Sequence, residues 1–366
     1  MTDAVMEQIA ALRDEDWAIR GEAAGRLGTF KDPRAVAPLV SLLRDQDRSV
    51  REAAIEALRS IGAAAVQTVG TCLTEPDLSV QESASAILAT IADERVLAPL
   101  IKALHSGDWI VRMHAAKALG RVRNADAVEP LIPLLQDKVK AVREEAAAAL
   151  AAIGDAAIPS LLKELQHEDW LVRLHAVESL RKLKSKRAVE PLLSVLFNDR
   201  DSAVREDVVR ALGEIGDPQA VEYLLTAMRE PGLRTLAVEA FGRIGDPLAV
   251  PALIEVLTGI RPPERTKTVA GCGDQWDEEV ITQGAAARSL GLIGDERAIP
   301  SLVSALNQIF TRVDAAAALA KFGSKAIPSL LPLLNESRDE NLLFHVRETL
   351  TSAGWRAGRR SQTGTK

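Results

Sequence analysis

The chain has 366 residues, more than one compact core usually holds, so its length implies several domains or a repeat array. Its 47% hydrophobic content is mostly Ala, Leu, Val and Ile with only 3% aromatics, which suits close packing of helices and not a large aromatic pocket. A net charge of −6 disfavours a generic binder of nucleic acid or of anionic membrane.

Cys72 and Cys272 are the two cysteines, and lone cysteines form neither a metal motif nor a disulfide framework. Met1 to Leu12 lacks a basic region followed by an apolar run, so no signal peptide is expected. No run of about 18 apolar residues appears, so no membrane span is expected and a soluble cytoplasmic protein is the default.

In chain order, a unit of about 31 residues recurs, reading roughly D-x-x-V-R-x-x-A-A-x-A-L-G-x-I-G-D-P-x-A-V-x-P-L-I-x-x-L. Aligned on its Val-Arg step, Arg20, Arg51, Gln81, Arg112, Arg143, Arg173, Arg205 and Arg234 follow at intervals of 29 to 32 residues. The pattern resumes near Gln283 and Arg312, and a degenerate last copy ends at Gly354, giving about eleven units. Each unit predicts two helices. Helix A begins at segments such as Gly216-Asp217-Pro218 and Gly245-Asp246-Pro247. There Gly closes the previous helix in a left-handed conformation, Asp caps the next, and Pro takes its first position. An internal proline (Pro38, Pro99, Pro130, Pro159, Pro191, Pro251, Pro300, Pro328) predicts a kink in helix A. Helix B starts after Asp16, Asp47, Asp77, Asp108, Asp169 or Asp201, and carries an Ala-Ala-x-Ala-Leu core at helical spacing.

Two amphipathic helices cannot bury their apolar faces alone, so neighbours must stack. The expected fold is all-α, an α-solenoid of about eleven two-helix repeats over residues 1–354. Residues 258–280 form a loop insertion in repeat nine, marked by Pro262-Pro263 and Gly271-Cys272-Gly273. Residues 355–366 form a basic tail expected to be disordered.

The residues Asp108 to Arg112, Asp169 to Arg173, Ala211 to Pro218 and Ala35 to Leu39 resemble HEAT repeats, specifically the short bacterial and archaeal type named after phycobilisome lyases. The resemblance covers nearly the whole chain and is specific for fold. It implies a choice among bilin-attaching lyases, a metal-dependent hydroxylase and interaction scaffolds, and does not decide among them.

The Asp and Arg of each Asp-x-x-Val-Arg step read as a structural ladder: Asp caps helix B, and Arg reaches the next unit. Trp17, Trp109 and Trp170 follow the capping Asp and are expected to pack over the turns between units. The two positions after Val-Arg vary, and in HEAT-like stacks helix B lines the concave face. The row contains Glu22, Glu52, Glu82, His114, Glu144, Glu145, His175, Glu206 and Asp207, with no Lys or Arg. Such an acidic row favours a protein partner with a basic or mixed-charge segment over nucleic acid. His114 and His175 stand near carboxylates, as metal ligands would. The related hydroxylase carries His-Glu pairs at these positions, whereas here the pairs are Met113-His114, Glu144-Glu145, Leu174-His175 and Glu206-Asp207. No catalytic residue, metal or cofactor is therefore assigned. Within the insertion, Arg261, Arg265, Lys267 and Trp276 are candidate partner contacts. The expected function is a non-enzymatic, monomeric interaction scaffold, with an accessory role in bilin attachment as the alternative and a metal-dependent hydroxylase behind it.

Overall fold

A computed structural model of the chain describes residues 3–91, 94–259 and 278–355. Among these residues every regular element is helical, and eleven helices B alternate with shorter helices A. The chain divides into two compact halves, Met1–Leu183 and Lys184–Lys366.

The first half runs α1 (Ala4–Ala11), α2 (Trp17–Phe30), α3 (Val36–Ser41), α4 (Arg48–Ile61), α5 (Val66–Thr71), α6 (Leu78–Leu88), α7 (Leu97–Ala103), α8 (Trp109–Val122), α9 (Val128–Leu131), α10 (Lys140–Ile153), α11 (Ile158–Glu164) and α12 (Trp170–Leu183). The second half runs α13 (Val189–Asn198), α14 (Ser202–Ile215), α15 (Val221–Ala227), α16 (Pro231–Ile244), α17 (Val250–Thr258), α18 (Glu278–Ile293), α19 (Ile299–Ala305), α20 (Arg312–Lys321), α21 (Ile327–Leu330), α22 (Leu333–Glu336) and α23 (Glu340–Ser352). Even-numbered helices through α20, together with α23, are the helices B.

Capping follows the sequence closely. The side chains of Asp16, Asp47, Asp77, Asp108, Asp169 and Asp201 each accept a backbone N–H of the first turn of helix B, satisfying a donor that the helix itself cannot. Gly216 and Gly245 adopt φ of 72° and 78°, and Asp217 and Asp246 cap the turn that follows. Helix A differs from the expectation of one kinked helix. It opens with a 3₁₀ turn, such as Pro33–Ala35 or Pro218–Ala220, and only then becomes α-helical. The recurrent prolines fall in the first turn of the α-helical part: Pro38 is third in α3 and Pro159 second in α11. An N–H missing there interrupts little of the α-helical ladder, so the prolines mark a junction between two helical pitches and kink no continuous helix.

The core is aliphatic and small. Ala115, Ala116, Leu119, Ala146, Ala147 and Leu150 are fully shielded from solvent. Helices B approach each other closely where glycine faces alanine. A β-carbon on Gly120 would lie 2.8 Å from the Ala149 Cα, and one on Gly28 would lie 2.8 Å from the Ala57 Cα. This is the reason for the glycine in the Ala-Leu-Gly motif.

Candidate functional site

The arginines of the Val-Arg step hold the repeats in register. Arg20 donates to both carboxylate oxygens of Asp45, at 2.8 and 2.9 Å, and Arg112 to both of Asp137, at 2.6 and 2.9 Å. Each also reaches carbonyls of its own A–B turn, as Arg112 does to Ser106 at 2.8 Å. In the second half the same bond to the next repeat is made by Arg205 to Glu230 (2.6 Å), Arg234 to Glu279 (2.7 Å) and Arg312 to Asp339 (2.8 Å). The Arg20 guanidinium holds the Asp45 carboxyl below the usual carboxylate range. These residues are consumed by the scaffold and leave the surface of the helices B to the variable positions.

At those positions Glu22, Glu52, Glu82 and Glu144 are exposed, and His114, Glu145, Glu206 and Asp207 are half-buried. Several of the carboxylates are partnered along their own helix. Glu22 pairs with Arg26 at 2.6 Å, Glu52 with Arg48 at 2.7 Å, Glu144 with Lys140 at 3.3 Å and Glu206 with Arg210 at 3.4 Å. The row is therefore less negative than its two columns alone suggest. The signal was present in the sequence, since each pair has the i, i+4 spacing of one helical turn, but columns aligned between repeats do not display it. Glu82 and Glu145 have no ion pair among the described residues, and both act electrostatically on His114, which stands between them in the row. Burial lowers the His114 pKa, against the pull of these two carboxylates, and its Nδ1 has no hydrogen-bond partner.

His175 does not belong to the exposed row. It is only 5% exposed. Its Nε2 accepts from Nε of Arg143 at 3.3 Å, which leaves the ring proton on Nδ1, 3.3 Å from Glu178. This hydrogen bond from His175, with help from Lys182 and against the effect of burial, lowers the Glu178 pKa to about 2. The second variable position leans on the preceding helix B: His175 meets Arg143, and Asp314 meets Arg288 at 3.0 Å. His175 is therefore a clamp between α10 and α12 and not an open ligand. Among the described residues no group of three or more His, Cys, Asp or Glu side chains converges as a metal site would require, so the residues present do not fit the iron centre of the hydroxylase reading.

Trp17, Trp109 and Trp170 are 53%, 41% and 41% exposed. Each is the first residue of its helix B, and in α8 and α12 the valine two residues on (Val111, Val172) is buried. Arg261, Arg265, Lys267, Cys272 and Trp276 of the insertion lie outside the described residues, as do residues 356–366 of the tail. No single helix among the described residues is long and apolar enough to cross a membrane.

The family described as HEAT repeats matches residues 5–89, 66–151, 97–165, 158–232, 189–270 and 275–351. The chain is 31% identical over 242 residues to phycocyanobilin lyase subunit alpha of Picosynechococcus sp., covering 63% of this chain and 83% of that protein. It is 28% identical over 231 residues to deoxyhypusine hydroxylase-B of Oryza sativa subsp. japonica, covering 61% of this chain and 75% of that one. In fold it is similar to the karyopherin Kap121p, solved bound to the extreme C-terminus of the protein phosphatase Cdc14p, with a TM-score of 0.63 and 13% identity. That alignment covers 95% of this chain, which spans 45% of the karyopherin.

Proposed function

Because this chain belongs to the HEAT-repeat family, in the form shared with phycobilisome lyases, we propose that it is a non-enzymatic interaction protein that holds a basic or mixed-charge segment of a protein partner on its helices B. The observation that carries this reading is the set of carboxylates Glu52, Glu82 and Glu144 at the first variable position of α4, α6 and α10, with Glu145 at the second position of α10. Exposed ion pairs such as Glu52–Arg48 and Glu144–Lys140 contribute about 0–1 kcal/mol, so a partner's cations can replace the internal ones at little cost. Glu82 and Glu145 offer charge with no internal pair to break.

The geometry restricts the partner. Packed helices lie about 8–10 Å apart, and an extended segment advances about 3.3 Å per residue. Cations about three residues apart along an extended chain match the carboxylates on the successive helices α4 and α6, and one about six residues further on matches those of α10, past Met113 and His114 on α8. Trp109 and Trp170, exposed at helix starts, add aromatic surface of the kind favoured at interfaces and can stack on Lys or Arg. A cytoplasmic setting is part of the same reading.

The test is affinity capture from native extract with wild type beside a Glu82→Lys/Glu144→Lys/Glu145→Lys variant. A partner held by wild type and lost by the variant supports the proposal, and equal capture by the two contradicts it. The similarity to phycocyanobilin lyase subunit alpha favours one second reading, an accessory role in bilin attachment. Stoichiometric uptake of phycocyanobilin, seen as a shifted absorbance band on mixing, would support it, and an unchanged spectrum would remove it.

A further inference from the structure

The arginine rungs that join successive repeats have a gap in the first half. Arg20 reaches Asp45 and Arg112 reaches Asp137, in each case 25 residues on. At the junction between the third repeat (α5 and α6) and the fourth (α7 and α8) both partners are exchanged. Gln81 stands at the arginine position, and Ser106, again 25 residues on, at the aspartate position. Ser106 keeps the local role of the aspartate: its Oγ accepts from the Asp108 N–H at 3.2 Å, as the Asp45 carboxylate accepts from Asp47 at 2.9 Å. No rung forms at this position among the described residues. Gln81 is 3% exposed, its side-chain amide donates to the Glu75 carbonyl of its own repeat, and its Oε1 is buried without a hydrogen-bond partner. An acceptor left unsatisfied in this way weakens the junction that a rung strengthens elsewhere.

Both layers of helices are weakened at the same place. In the B layer, α6 has 11 residues where α4 and α8 have 14, so it offers its neighbours about a turn less of helix. Ser83 and Ser85 donate back to the carbonyls of Ser79 and Gln81, at 2.8 and 2.9 Å, bonds of a kind that bend helices. In the A layer, the fifth residue of α3 and of α7 is aliphatic, Val40 and Ile101, whereas that of α5 is Gly70. A β-carbon on Gly70 would lie 2.9 Å from the Pro99 Cβ, so α5 and α7 meet closely at that point. Beside it a cleft of about 500 Å³ opens, lined by Val66, Gln67 and Thr71 on one side and Lys102 on the other. A point of close contact beside unfilled space makes a pivot, since the facing surfaces lack the contacts that would fix their angle.

We propose that the junction of the third and fourth repeats is a hinge, about which α1–α6 tilt against α7–α12 to fit the bound segment. The fitting rests on the interaction reading above. Glu52 and Glu82 stand before the hinge, and Glu144 and Glu145 beyond it. Tilting between α6 and α8 changes the separation of these two groups of carboxylates, while the rungs Arg20–Asp45 and Arg112–Asp137 hold the first two repeats together on one side and the fourth and fifth on the other. The hinge therefore sets which spacings of cations the surface accepts. A segment that spans it favours one angle and shifts the population toward that angle.

The experiment measures distances by double electron–electron resonance between nitroxide labels on the full chain, with Cys272→Ser and the buried Cys72 retained. Ala37, Ala98 and Pro159 are exposed, and each is the second residue of its helix A, in α3, α7 and α11. The pair Ala37→Cys/Ala98→Cys spans the hinge, and the pair Ala98→Cys/Pro159→Cys spans the same number of repeats beyond it. The first pair should give the broader distance distribution. Gln81→Arg/Ser106→Asp, which restores the rung, should remove the excess width and leave the second pair unchanged. Equal widths of the two pairs in the otherwise wild-type chain overturn the proposal without any change at the buried Gln81, and so does excess width that survives in a folded rung variant. An extended peptide bearing lysine at every third residue should narrow the first pair alone. Binding of that peptide with no narrowing overturns the fitting, whereas failure of the peptide to bind overturns the interaction reading and leaves the hinge to be judged by the widths.

Discussion

His175 shows how one aligned column can hold different chemistries. By sequence it shares a position with exposed carboxylates, yet its ring is enclosed between Arg143 and Glu178. Glu178 stands one turn away in its own repeat, but the donor Arg143 comes from the preceding helix B and is not announced there. The arrangement predicts a pH dependence. A glutamate in an unfolded chain titrates near pH ~4.3, and Glu178 in the fold titrates at about 2. As pH falls, protons bind the unfolded chain first. The stabilisation is therefore complete above pH ~4.3 and is lost as pH falls toward ~2. Urea melts of Glu178→Gln should show a flatter acid limb over that window, and a limb superimposable on that of wild type would contradict the assignment. Gly120 makes the same point for packing. The motif Ala-Leu-Gly was legible, but the reason for its glycine, contact with the Ala149 backbone, required the neighbouring helix. A side chain there meets backbone that cannot rotate away, so Gly120→Val should lower stability by about 1–3 kcal/mol. A thermal midpoint equal to that of wild type would refute this.

Between elements, the reach of arginine to the next unit was readable in advance because its spacing repeats, though not its acceptors Asp45 and Asp137, which stand two residues before the N-cap, and the capping aspartates were readable because each precedes a run of helical period. Two features were not. The 3₁₀ entry of helix A and its α-helical continuation share one hydrophobic pattern, so the change of pitch leaves no mark in the sequence apart from the prolines, which also suit a kink. The half-exposure of Trp109 and Trp170 depends on how closely the neighbouring turns approach, which a large apolar side chain does not declare. The ladder's contribution is measurable. Arg112 and Asp137 are only 16% and 10% exposed and make two hydrogen bonds, so a double-mutant cycle with Arg112→Ala and Asp137→Ala should give a coupling of about 1–3 kcal/mol. A coupling near zero would show that the ladder positions the repeats without stabilising them.

Over the whole molecule, repeats touch mainly their neighbours in the chain, so a lesion should remain local. Leu119 is fully buried in α8, and Leu119→Ala should cost roughly 2–5 kcal/mol. Hydrogen exchange should quicken in α8 and the adjoining α6 and α10 ahead of helices in the second half. Uniform loss of protection would indicate a single cooperative unit. The fold was legible because eleven copies of one pattern average out local ambiguity. The candidate site was legible only as a row of positions, since its charge depends on Arg26, Arg48, Lys140 and Arg210 one turn away. The most direct test of the interaction reading is a fluorescence-anisotropy titration of the full chain with an extended peptide bearing lysine at every third residue. Wild type should bind it with an affinity that falls steeply with salt, and Glu82→Lys/Glu144→Lys/Glu145→Lys should lose that peptide and gain one bearing glutamate instead. Equal affinity of wild type and variant for the lysine peptide would contradict the reading.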